Sequence, residues 1–264
     1  MFGFKVRRRK TPLGHLPEAR LGIKAARAGL VLIPEDLADE LGRVAPQERS
    51  DYLVQVAAFP GSKWAARVQG ALPPLVRASS IVVSLEARVA RSEGSPQDKP
   101  LEELLPASPY IAMPARVTCQ RDYLSVTSYD ADVLPLDNLL VVSEDTTVTM
   151  GWLSSQAFWV WTQVVTEHEP GASTYRAYTT FPAPLLSRKE RQRLEIAVDT
   201  IPRARMHALG NDIEELYREM PRALYAAHNE LDRVVNELLG LPADVSNERL
   251  AQHLVDRFVE LLAA

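Results

Sequence analysis

The stretch from Tyr110 to Trp161 constrains this chain more than any other. Tyr110-Ile-Ala-Met-Pro-Ala115 and Tyr123-Leu-Ser-Val-Thr127 are runs rich in β-branched and aromatic residues, separated by a segment that carries Arg116, Gln120, Arg121 and Asp122. That pattern predicts two neighbouring strands with a polar, partly cationic junction. After a turn at Leu134-Pro-Leu-Asp-Asn138, the unbroken apolar run Leu139 to Ser143 has the length of a strand buried on both faces. From Gly151 to Val165 the period changes, and Leu153, Ala157, Val160, Trp161 and Val164 recur on one helical face. Strands feeding a Trp-rich helix form a scaffold, and polar residues at its corners are where function sits.

Composition narrows the class. The 264 residues are enough to bury a real core, and 46% hydrophobic with 24% charged residues is ordinary for a globular protein. No apolar run reaches the roughly 20 residues that cross a bilayer, and Met1 to Lys10 lacks the apolar core of a secretory signal, so the expected location is the cytoplasm, with no membrane partner. Cys119 is the single cysteine, which excludes an internal disulfide and suits a reducing compartment. The net charge of −4 is unevenly spread. Lys5, Arg7, Arg8, Arg9, Lys10, Arg20, Lys24 and Arg27 face only Glu18 in the first thirty positions, whereas carboxylates outnumber arginines from Asn211 onward. An acidic chain with a basic front can meet a polyanion locally without being a general nucleic-acid binder.

Along the chain, Leu30 to Ile33 reads as a short strand and Pro34 as the start of a helix carrying Leu37 and Leu41. A second helix is expected after Pro46, with Tyr52, Leu53 and Val56 on it, ending at Pro60-Gly61. Trp64 to Val68 reads as a strand, Leu75 to Val89 mixes strand and helix signals, and Ser92 to Pro100 is a polar loop. The segment Thr166 to Tyr178 has no period and is expected to be an exposed loop. Ser187 with Glu190 predicts a capping box, Pro221 to Gly240 a long helix with Leu224, His228, Leu231, Val235 and Leu238 inward, and Ser246 the start of a last helix. The helical tail is expected to dock on the sheet. These readings give an α+β fold: a central mixed β-sheet recognition domain with a C-terminal helical layer. Its expected divisions are 1–91 (basic N-terminal part), 101–186 (sheet and Trp-rich helix) and 187–264 (helical tail).

The sequence carries no catalytic signature. There is no GxGxxG or P-loop pattern, no Gly-x-Ser-x-Gly elbow, no nuclease carboxylate cluster, and no metal-ligand spacing among His15, His168, His207, His228 and His253. Pro73-Pro74 lacks the flanking residues of a base-holding turn. Catalytic, cofactor-binding and metal residues are therefore expected to be none in this chain. The polar candidates are for DNA. Arg7, Arg8, Arg9 and Lys10 suit phosphates, with a solvated charge run as the alternative. Arg116, Gln120 and Arg121 suit base edges, since Arg and Gln pair bidentately with guanine and adenine; the alternative is a strand-end charge cluster. Glu167, His168, Thr174, Tyr175 and Arg176 carry the donors and acceptors of base readout, as any polar loop does. Trp152, Trp159 and Trp161 read as core, and His228 as a core histidine with its hydrogen bonds satisfied.

Taken together, Val6-Arg-Arg-Arg-Lys-Thr-Pro-Leu-Gly-His-Leu-Pro17, Gly29-Leu-Val-Leu-Ile-Pro-Glu35, Tyr110 to Val117, Asp137-Asn138, Gly151-Trp-Leu-Ser-Ser155, Trp161, Tyr175-Arg176, Tyr178-Thr-Thr-Phe-Pro182, Leu216-Tyr217 and Met220 to His228 form a colinear set. The set resembles the C-terminal half of the MmeI-like type II restriction-modification DNA methyltransferases. The resemblance implies a target-recognition domain with a helical tail. It places the S-adenosylmethionine site and the Asn-Pro-Pro-Tyr catalytic turn upstream of the matching region, and base reading around Glu167 to Arg176 with the Arg116 to Arg121 junction nearby. The expected partners are double-stranded DNA and an adenine methyltransferase catalytic domain or subunit. The stretch Thr174 to Tyr178 is shorter than in the family pattern, and Ala183 stands where that pattern has Trp. The rival reading is a non-catalytic split or degenerate remnant whose acidic helices meet a protein partner.

Overall fold

In the computed structural model the described residues are 6, 9–58, 61–67, 72–82, 99–116, 122–166, 171, 173–206 and 213–263. Their strands form two sheets of four strands each, accompanied by a larger set of helices, which is the expected α+β class. The chain divides into two compact units that interleave along the sequence. One holds Met1–Arg20, Ile111–Thr127 and Val142–Ala264, and the other holds Leu21–Tyr110 and Ser128–Val141.

In the second of these, four strands pair in the order β2-β4-β3-β7, where β1 is Arg20–Leu21, β2 is Leu30–Ile33, β3 is Leu53–Ala58, β4 is Gly61–Arg67, β5 is Tyr110–Pro114, β6 is Thr127–Tyr129 and β7 is Val133–Pro135. β4 runs antiparallel to both neighbours, with Ile33 and Gln55 opposite Trp64, while β3 and β7 run parallel with Val56 opposite Leu134. Alternation along these strands feeds two cores, as the period of two requires. Ile33, Leu53 and Ala66 meet Leu41 and Tyr52 on one face, and Leu30, Val54, Val56 and Ala65 meet Leu101 and Leu134 on the other. Tyr52 donates its hydroxyl to the carbonyls of Leu41 (3.2 Å) and Ala45 (3.0 Å), closing the first core. The second helix expected after Pro46 is only Arg49–Tyr52, and Leu53 to Ala58 is a strand instead. Burial of Val54 and Val56 on a face that excludes Gln55 overrides the helical signal of the flanking residues. In the undecided segment, Pro74–Arg77 is helical. The loop expected at Ser92 to Pro100 lies outside the described residues as far as residue 98.

In the other unit, the expected Trp-rich helix is two helices, Thr146–Leu153 and Gln156–Thr166, broken at Ser154 and Ser155. Ser155 explains the break: its hydroxyl accepts the Phe158 amide proton (3.3 Å), the geometry of a helix N-cap. Trp152 and Trp161 are fully buried and Trp159 nearly so, in line with their reading as core. Trp161 donates its ring N–H to Thr180 Oγ1 (3.2 Å) and its ring lies 5.3 Å from that of Phe258. Of the exposed loop expected at Thr166 to Tyr178, residues 167–170 and 172 lie outside the described residues, and both ends are helical instead: one helix runs through Thr166 and a further helix spans Thr174–Thr180 with Ala177 and Tyr178 buried. Neither period nor propensity announces that short helix. Its hydroxyls bond back along it, Thr179 to the Tyr175 carbonyl (3.0 Å) and Thr180 to that of Arg176 (2.7 Å), so packing drives it.

The C-terminal helices are Arg188–Val198, Thr200–Met206, Ile213–Glu219, Arg222–Leu238 and Asn247–Ala263. The capping box forms as expected, with Glu190 accepting from the Ser187 amide (2.7 Å). Rather than docking on a sheet, the tail packs on helices: Arg188–Val198 against Thr146–Leu153, and Asn247–Ala263 against Gln156–Thr166. Gly151 permits the first contact, since a β-carbon there would lie 2.7 Å from Leu194 Cγ, and Leu194 is itself fully buried. Gly151→Ala is therefore expected to lower stability by about 1–3 kcal/mol through overpacking. In denaturant unfolding the loss should shrink when Leu194→Val is also present, and additive losses would contradict this contact.

Candidate nucleic-acid interface

The end of β5 and the start of helix Thr174–Thr180 are joined by backbone and side chain together. The Thr174 amide donates to the Ala115 carbonyl (3.1 Å) and its hydroxyl to the Pro114 carbonyl (2.7 Å), while Arg116 and Ser173 form an isolated antiparallel bridge. Arg116 then donates from one guanidinium nitrogen to the Gly171 carbonyl (3.0 Å). Two polar stretches more than fifty residues apart in sequence thus meet at one place. The N-terminal segment joins them. Leu13 donates its amide to the Thr179 carbonyl (3.0 Å), His15 donates to that of Ala183 (3.0 Å), and Tyr178 donates its hydroxyl to Pro17 O (2.8 Å). Gly14 sits so close that a β-carbon would be 2.5 Å from the Ala183 nitrogen and the Phe181 oxygen. Ala183, where the family pattern has Trp, is buried beside it.

This arrangement gathers cations. Arg9 and Lys10 are exposed, and the Tyr175 hydroxyl reaches the Lys10 carbonyl (3.4 Å). Arg116 and Arg176 are exposed, and Arg176 also donates to the Val165 carbonyl (3.4 Å) at the end of its helix. Among the described residues no ion pair ties Arg9, Lys10, Arg116 or Arg176 to a carboxylate, in contrast with Arg191 on Asp145 or Arg193 on Glu237. Exposed guanidinium groups with donors to spare are suited to phosphates and base edges. Thr174 is the correction. It is fully buried and its hydroxyl is committed to Pro114, so it supports the site and does not touch a ligand. Arg7, Arg8, Gln120, Arg121, Glu167 and His168 lie outside the described residues, as does Cys119. Among the described residues no group of three or more His, Cys, Asp or Glu is placed to hold a metal, and no helix is long and apolar enough to cross a membrane.

Beneath the surface lies a polar network centred on helix Arg222–Leu238. His228 is fully buried and satisfied at both nitrogens, Nε2 by the Tyr217 hydroxyl (3.0 Å) and Nδ1 by the Ser154 carbonyl (2.9 Å). Its carbonyl partner makes Nδ1 the protonated nitrogen. Arg205 donates to Tyr217 and to the Val126 carbonyl (2.7 Å). One turn beyond His228, Asp232 accepts the Tyr123 hydroxyl proton (2.6 Å) on one oxygen and the Gln156 amide proton (2.7 Å) on the other, and the Tyr123 ring stacks on His228 at 4.1 Å. These ties replace the strand expected at Tyr123 to Thr127. The backbone from Tyr123 to Val126 is buried without ladder pairing, and only Thr127–Tyr129 is extended. Ser155 and Asp232 were missed by sequence reasoning; the one signal for Asp232 is a carboxylate four residues after a core histidine on the same helical face.

Burial pushes the Asp232 carboxyl up to about 6, against the lowering effect of its two hydrogen bonds, and burial with Arg205 nearby pushes His228 down to about 3. The two act on stability in opposite senses. Asp232 takes up its proton in the folded state first, so its contribution is full at low pH and is lost as pH rises through about 6. His228 stays neutral when folded, so its contribution is full above its ordinary 6.5 and is lost as pH falls toward about 3. Between roughly pH 4 and pH 6 the slopes oppose each other at about 1.4 kcal/mol per pH unit each. Asp232→Asn should expose the histidine: urea unfolding across that range is expected to fall with acidification about 1.4 kcal/mol per unit more steeply than in the unmodified chain. Parallel curves would contradict the assignment.

Comparisons with known proteins identify relatives of this chain. Residues 99–185 match the family model for the MmeI target recognition domain, and residues 186–264 match that for the MmeI C-terminal domain. Comparison with curated protein sequences gives no match. Among solved structures, the Type IIL restriction-modification enzyme MmeI in complex with DNA is similar over all of this chain, with a TM-score of 0.81 at 20% identity, and the match covers 38% of that enzyme's chain. The two domain models follow one another without a gap over residues 99–264, and this chain belongs to the MmeI family.

Proposed function

We propose that this chain is a DNA target-recognition module, which binds duplex DNA sequence-specifically and directs an adenine-N6 methyltransferase whose catalytic part lies outside these 264 residues. The observation that carries the reading is the convergence of Lys10, Arg116, Tyr175 and Arg176 around the start of helix Thr174–Thr180, inside the segment matching a target recognition domain. The solved relative is a complex with DNA, which supports the same partner. Arg9 and Lys10, with Arg7 and Arg8 before them in sequence, anchor the phosphate backbone, and Arg176 and Tyr175 read base edges, a role shared with Glu167 and His168. Arg116 serves both ends: one nitrogen holds Gly171 and the others remain for phosphate. S-adenosylmethionine belongs to the catalytic part, and no residue of this chain is assigned to it. A DNA partner supports a cytoplasmic location.

The test is titration with duplexes of randomised sequence over a range of salt. Affinity is expected to fall linearly in log–log form as counterions are released, and Arg9→Ala with Lys10→Ala should reduce the slope by about 2. Arg176→Ala should broaden the set of sequences selected from a random pool while leaving the slope unchanged. No binding at low salt, or binding indifferent to salt, would overturn the proposal, and exchanged effects of the two substitutions would reverse the residue roles.

A further inference from the structure

We propose that a cleft beside helix Arg222–Leu238 receives an arginine-bearing segment of the polypeptide that carries the catalytic part; the inference rests on the DNA-recognition reading and adds a partner surface to it. The cleft has a volume of about 530 Å³, and every residue lining it belongs to the unit that contains the C-terminal helices. One face of the helix lines it: Tyr225, Asn229, Asp232 and Asn236 recur at a spacing that keeps them in one row. From Tyr225 to Asn236 the row is about 16 Å long, the span of about five residues of extended chain. Asp122 and Asp244, both exposed, add negative charge. Such a cleft repels a phosphate backbone and attracts a cation.

Two side chains in the row need donors. Asn236 is only 6% exposed, and its Nδ2 donates to the Ala243 carbonyl (3.0 Å). A carbonyl only accepts, so this bond fixes the amide's orientation and leaves Oδ1 without a partner among the described residues. Asp232 accepts one proton on each oxygen, from Tyr123 (2.6 Å) and from the Gln156 amide (2.7 Å), so each oxygen keeps a second acceptor site. Two such sites on one carboxylate match the paired N–H groups of a guanidinium. Asn236 stands one turn on, about 5–6 Å away between β-carbons, within reach of a third N–H. Among the described residues Asp232 has no ion pair, and Arg233, the one basic residue of the lining, leans toward Glu230 (3.9 Å). Burial without a counter-charge is what holds the Asp232 carboxyl up at about 6. Tyr225, 48% exposed, offers a ring face on which a planar guanidinium stacks, and the exposed Asn229 carboxamide suits a peptide group.

The experiment uses the full chain and a fluorescently labelled pentapeptide, blocked at both ends, with arginine at its centre and alanine elsewhere. It is run well above pH 6, where Asp232 is ionised. Anisotropy titration is expected to show binding about tenfold tighter than that of the same peptide with citrulline, which keeps the shape and loses the charge. Asp232→Asn should weaken the arginine peptide about tenfold, since one acceptor becomes a donor while the ties to Tyr123 and Gln156 persist. Tyr225→Ala, a change at an exposed position, should weaken it about threefold. Saturating peptide should leave affinity for duplex DNA unchanged. Citrulline peptide, lysine peptide or spermidine binding as tightly as the arginine peptide marks an unselective acidic surface and overturns the inference. Displacement of the peptide by duplex DNA overturns it too, as does unaltered affinity in both variants. Should Asp232→Asn not fold, Tyr225→Ala decides with the citrulline comparison. A chain that binds DNA with the expected salt dependence and ignores the arginine peptide overturns only this inference; a chain that takes the peptide and binds no DNA overturns the functional reading, and with it the partner named here.

Discussion

The joint between Pro114–Arg116 and Gly171–Thr174 is the interaction on which the surface depends. A strand that ends at a proline leaves carbonyls without ladder partners, and buried carbonyls need donors. Thr174 supplies two, amide and hydroxyl, to Ala115 and Pro114, and Arg116 returns a third to Gly171. Satisfying those groups places two distant polar stretches side by side and starts a helix that propensity alone would not form. The candidate surface is thus a consequence of backbone accounting at a strand end, before any ligand enters the argument.

Much of the frame was legible in the sequence because it is written in periodic burial and local chemistry. The runs Leu30 to Ile33, Tyr110 to Pro114 and Leu139 to Val142 are strands, the long helix stops before Gly240 with its positive φ of 76°, and the Ser187–Glu190 box closes as its spacing implies. The failures share a cause: tertiary contacts outweighing local pattern. Leu53 to Ala58 looks helical beside Tyr52 but is claimed by a sheet; Tyr123 to Val126 looks like a strand but is claimed by helix side chains. The helix at Thr174 looks like a loop because its stability lies in hydroxyl–carbonyl bonds and buried Tyr178, neither of which leaves an apolar repeat. Of the candidate site, Arg116, Tyr175, Arg176 and Lys10 were recognisable by residue type and prove to be neighbours. The buried role of Thr174 was not recognisable, since a hydroxyl reads the same whether it faces a base or a carbonyl.

The network below the surface has a different character from the core around Trp152 and Trp161. Apolar cores tolerate exchanges of similar volume, whereas a buried chain of hydrogen bonds specifies one arrangement and penalises any member left unpaired. Arg205, Tyr217 and His228 form one such chain and Tyr123 with Asp232 a second, the two joined by the stack of Tyr123 on His228, and together they link three helices of the tail to the backbone at Val126, Ser154 and Gln156. The tail in this sense braces Tyr123, Val126 and the start of helix Gln156–Thr166.

The docking of the N-terminal segment has a consequence of its own. Leu13 and His15 are held through their main-chain amides, and Gly14 fits by having no side chain, so nothing in that seat depends on what residues 9 and 10 carry. Charge at the rim can be added, removed or reversed by substitution while the seat stays as it is. A scaffold built this way can change the charge at its rim in single mutational steps and leave its folding untouched.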